Sequence, residues 1–179
     1  MTSVDQLSRD HGPFDFIKID VEGMEPEVLA DAIADVTGIF DRYKGYPPGT
    51  RAVSLADPQV ESETLDVLGR CSRETSCEMS GQAATDGLTL KLHLMNGPLL
   101  NDRITDPGGR LFQLLDAGTR PMDVIRIFYT LAFTREPTVR EQRFWQKQLE
   151  VAGTAEEQQQ VLEDFLWSLL TCREFVTNH

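Results

Sequence analysis

Between Thr154 and Cys172 six large apolar residues, Val161, Leu162, Phe165, Leu166, Leu169 and Leu170, recur at spacings of one, three and four. That period gathers all six on one wide face of an α-helix. A face so wide has to be covered by apolar surface from elsewhere in the chain, so it demands a helical bundle. Thr154 with Glu157 matches a capping box and fixes where this helix starts. Thr138 with Glu141 repeats the signal one helix earlier. Before that, Pro121 opens a helix whose expected buried stripe is Val124, Ile125, Phe128, Leu131 and Ala132.

Punctuation by glycine and proline divides the rest. Asn96-Gly97-Pro98 stops a helical stretch T-L-K-L-H-L-M. Helices over 99–104 and 110–117 follow, ended by Asp106-Pro107-Gly108-Gly109 and by Gly118. Short connections predict antiparallel neighbours over 85–179. Residues 39–58 carry Gly45, Pro47, Pro48, Gly49 and Pro58 and read as an irregular Pro/Gly-rich connector. Within it R-A-V-S-L, residues 51–55, is a candidate short strand, and a short helix is expected over 60–68.

Upstream, F-D-F-I-K-I-D, residues 14–20, reads as a buried strand, and a helix follows near Glu25. Pro26 suits its first turn, Glu25 and Glu27 suit the positive end of its dipole, and Gly38 ends it. The expected fold is therefore mainly α, a C-terminal helical bundle with a short N-terminal strand-helix unit. The expected divisions are 1–30, 31–84 and 85–179.

Charge narrows the partners. Lys plus Arg total 17 against 29 Asp plus Glu, a net −12, and the basic residues read as scattered singly along the sequence. A chain so acidic repels phosphate backbones, which argues against nucleic acid and leaves other protein domains as expected partners. No apolar run has the length of a membrane span, so no membrane insertion is expected. The opening M-T-S-V-D-Q-L-S-R-D-H-G lacks a basic stretch ahead of an apolar one, and the expected location is cytoplasmic.

Metal and redox chemistry find little. His11, His93 and His179 are far apart, and none shares a helix turn with a cysteine, so no zinc set forms. Cys71, Cys77 and Cys172 read as free thiols, with a Cys71–Cys77 bridge the alternative in an oxidising compartment. His93, Trp145 and Trp167 read as core residues, and Asn96 and Asn101 as caps beside a helix break. Glu22, Glu25 and Glu27 read as helix N-terminal acids, with a divalent cation as the competing role. No G-x-S-x-G elbow occurs.

The strongest local hint of catalysis is the strand that ends in Asp20 and Glu22, because ligands of doubly wound folds bind beyond strand carboxyl ends. D-F-I-K-I-D-V-E-G-M-E-P-E-V-L resembles the FkbM-type methyltransferase family, matching at Lys18, Asp20, Glu22, Gly23 and Glu25. That resemblance, over roughly residues 2–29, implies S-adenosylmethionine as cofactor, with Asp20 and Glu22 facing substrate as catalytic candidates. Such a fold needs an earlier strand and a glycine-rich turn, and no G-x-G occurs in the chain.

From about Asp31 to His179 the chain resembles the C-terminal end of a planctomycete-specific domain family of unknown function. The likeness rests on D-A-I-A-D-V-T-G, G-Y-P-P-G-T-R-A-V-S-L-A-D-P, L-D-V-L-G-R, L-H-L-M-N-G-P-L-L-N-D-R-I and L-L-T-C-R-E-F-V-T-N-H. It implies relatives that are usually exported, many with a cytochrome c-like domain. The sequence thus leads to a non-catalytic helical structural or interaction module with no cofactor of its own. A methyltransferase and a component of a redox-linked extracytoplasmic protein are the alternatives.

Overall fold

A computed structural model describes residues 25–57, 59–70 and 98–177. These form eight α-helices and one 3-10 turn, and no strand occurs among them. The expected strand over 14–20 and the helical stretch before Pro98 lie outside the described residues.

Helix α1, Glu25–Thr37, crosses residues 30 and 31 without a break and buries Leu29, Ala30, Ile33 and Val36. It ends at Gly38, whose φ of +77° favours glycine and whose N–H bonds the Ala34 carbonyl at 2.8 Å. A side chain at Gly38 would also approach the Arg110 backbone nitrogen to 3.2 Å. Arg110 itself donates to the Val36 and Asp35 carbonyls, which satisfies two acceptors left open at the helix end.

The stretch 51–55 is not a strand. Ala52–Ser54 forms a 3-10 turn because the Asp31 carboxylate on α1 accepts the Ala52 N–H at 2.7 Å and the Val53 N–H at 3.2 Å. With those donors taken by a side chain, the segment has no use for a partner strand. Helix α2, Glu63–Val67, is shorter than expected and starts at Ser62, whose hydroxyl accepts the Leu65 N–H.

Helices α3, Pro98–Ile104, and α4, Arg110–Asp116, lead into α5, Pro121–Phe133, α6, Val139–Val151, α7, Ala155–Thr171, and α8, Arg173–Thr177. Helix α5 packs against α1, α4, α6, α7 and α8, while α7 packs against α3, α5, α6 and α8. Both capping boxes form as the sequence requires. On α5 the buried stripe is Val124, Ile125, Phe128, Tyr129 and Ala132. Leu131 leaves it and is exposed, because helical rotation carries that position to the stripe's edge, while Tyr129 falls inside it.

The centre of the bundle is aromatic. Phe165 of α7 lies 6.3 Å from Phe128 and 5.8 Å from Tyr129 of α5, and 5.0 Å from Trp145 of α6. Three helices therefore meet on one ring. Helix α8 closes the base of the bundle with Phe175, fully buried.

Candidate functional site

Asp20 and Glu22, the catalytic candidates, lie outside the described residues, as do Cys71, Cys77, Asn96 and all three histidines. Glu27 sits on α1, where its Oε2 is buried and makes no hydrogen bond among the described residues. Asn101 falls inside α3 as an exposed side chain rather than at a break, because that helix already begins at Pro98. Cys172 is free, and Trp145 and Trp167 are partly buried against the core.

Two arginines organise the polar interior. Arg103 of α3, almost wholly buried, donates to Asp41 at 2.6 Å, to the Thr64 hydroxyl at 2.9 Å and to the Ile39 carbonyl at 3.3 Å. It ties the connector and α2 to α3. Arg135, just past α5, holds two carboxylates at once. Its Nη1 and Nη2 bond Glu141 of α6 at 3.0 Å each, and its Nε and Nη2 bond Glu174 of α8 at 2.9 Å each. Its guanidinium also lies 5.2 Å from the ring centres of Tyr129 and Phe133.

Such paired forks are the strong form of the ion pair. Arg135, with help from Thr138, brings the Glu141 carboxyl from its ordinary 4.5 down to about 2. Glu174 is lowered by the same guanidinium. A cleft of about 290 Å³ opens beside this clamp, lined by Tyr129, Phe133, Phe165, Ser168 and Cys172 among others. Since every edge of the Arg135 guanidinium already carries a partner, the clamp joins helices and offers no free donor to an anion.

The outer face of α6 is different. At about 3.6 residues per turn, Arg140, Arg143, Lys147 and Val151 run in one line, with Phe144 beside them. All five are exposed, Phe144 at 54% and Val151 at 77%. Val139, at the start of the helix, is exposed at 62%. None of the three cations forms an ion pair with another described residue. Along the sequence these cations look scattered, yet the fold gathers them. The signal that finds them is their spacing of three and four, one helix face in a chain of net charge −12.

Phe144 is also firmly presented. Its ring meets Trp145 edge-on at 4.9 Å, and Trp145 in turn packs on Phe165 in the core. The face can therefore offer apolar contact flanked by positive charge, which suits a protein surface carrying carboxylates.

Among the described residues no three His, Cys, Asp or Glu side chains gather in a way that could hold a metal ion. No helix among them is long and apolar enough to cross a membrane. No family model, curated protein or solved structure matches the chain.

Proposed function

We propose that the chain is a non-catalytic helical interaction module that docks onto another protein through the outer face of α6. The observation that carries this reading is the exposure of Phe144 and Val151 on a helix whose opposite face is anchored in the core through Trp145 and Leu149. An aromatic ring held against a core-anchored tryptophan loses little freedom on docking, and such rings dominate interface energetics. The resemblance of residues 31–179 to the planctomycete-specific family belongs to the same proposal: it supplies a context of large multidomain proteins in which a helical module packs against other domains.

The test places the photo-cross-linker p-benzoylphenylalanine at Phe144 in the full chain, within cells of its natural host. A control carries it at Asp116, exposed on α4. The expected result is one protein adduct, identified by mass spectrometry, from the α6 position and none from the control. Identical adduct patterns from both positions overturn the docking face. Calorimetric titration with S-adenosylmethionine covers the enzyme reading, and micromolar binding there overturns the non-catalytic one.

A further inference from the structure

Building on that docking reading, we infer that the partner of the α6 face is an acidic amphipathic helix. Residues Val139–Val151 span 13 positions, about 20 Å at the helical rise, the length of one helix-on-helix contact. Arg140, Arg143 and Lys147 are separated by three and four, so carboxylates at the same spacing on a facing helix can meet each of them. Phe144 and Val151, two turns apart, give that helix an apolar seam to cover.

The other occupants fit less well. A second copy docked by the same face would bring three cations close to three cations, with Glu150 the exposed acid of α6 to set against them. A lipid bilayer or a long nucleic acid extends past the stripe on all sides. There it meets exposed Glu136 before α6 and Glu156 and Glu157 after it, in a chain of net charge −12. At physiological salt those acids act within about 8 Å, so an anionic sheet is repelled while a narrow helix seated along the stripe is not.

The probe is a synthetic peptide of about 20 residues, with leucines at helical spacing and glutamates flanking them, titrated into the full chain by fluorescence anisotropy. The expected result is micromolar binding that weakens as salt rises, with a lysine-for-glutamate version of the peptide about tenfold weaker or worse. The triple variant Arg140→Glu, Arg143→Glu, Lys147→Glu is expected to lose about tenfold or more for the acidic peptide and to gain the lysine peptide. Phe144→Ser is expected to weaken binding of the acidic peptide without inverting the preference. Equal affinity of the wild-type face for both peptides overturns the inference. So does co-sedimentation with vesicles of phosphatidylcholine and phosphatidylserine, or dimerisation that the triple variant abolishes. An in-cell adduct from a cross-linker at Val151 that survives the triple charge reversal but not Phe144→Ser would sink the acidic partner and leave the docking module standing.

Discussion

Arg135 holds Glu141 at about 2 and Glu174 below the ordinary carboxylate range, so protonating either acid opposes the folded state. Because the folded value lies under the unfolded one, the clamp's contribution is complete above the ordinary 4.5 and is lost as pH falls toward about 2. Urea unfolding followed from pH 7 to pH 2 should show stability declining through that window, and Glu141→Gln should flatten the decline. Arg135→Lys keeps the charge but removes the planar fork and the double pairing, at a cost of roughly 1–2 kcal/mol near neutrality. A variant as stable as the parent would mean that solvent already satisfies these groups. Thr138 contributes to the same site from the backbone side, since Glu141 Oε2 accepts both its N–H and its hydroxyl. One glutamate therefore serves as helix cap and as ion-pair partner.

Among the elements, α5 and α7 bear most of the packing, and Phe165 is where α5, α6 and α7 converge. Phe165→Ala should cost about 3–5 kcal/mol, because the surrounding rings cannot all collapse into the space. Leu131→Ala, on the same bundle but exposed, should stay within about 0.5 kcal/mol. Thermal or urea melts that ranked the two the other way would contradict the assignment of the core. These helices were legible in the sequence because the period, the capping pairs Thr138–Glu141 and Thr154–Glu157 and the stops at Gly38 and Gly118 are local signals. What the sequence hid depends on distant groups. The 3-10 turn at Ala52 follows from Asp31, 21 residues earlier, and Arg135 finds Glu174 39 residues away. No local pattern encodes either pairing. The α6 face lay in between, since its spacing is local but its exposure is set by which side Trp145 and Leu149 bury.

On the scale of the whole molecule, one hydrophobic cluster runs from Leu29 on α1 to Phe175 on α8. Helix α1 thus belongs to the same core as the C-terminal bundle, through contacts with α4 and α5. Polar ties run alongside: Arg103 reaches Asp41 across 62 residues of sequence. Arg103→Met would roughly keep the volume but remove the charged partner of Asp41, leaving the Thr64 hydroxyl to donate to that carboxylate at 3.1 Å, at a cost of about 3 kcal/mol. Hydrogen exchange should then show the connector and α2 opening ahead of α5 and α7. Uniform loss of protection across all helices would instead mark a single cooperative unit.

The edge-on contact of Phe144 with Trp145 has an optical consequence. Trp145 bridges the outer surface of α6 and the aromatic centre at Phe165, so its emission reports on both sides of the helix. On the docking reading, a helix seated over Phe144 should change the polarity and quenching around that indole, seen above the emission of Trp167. Tryptophan emission of the unlabelled chain, compared with a Trp167→Phe variant, would then serve as a sensor of occupancy readable in a cuvette.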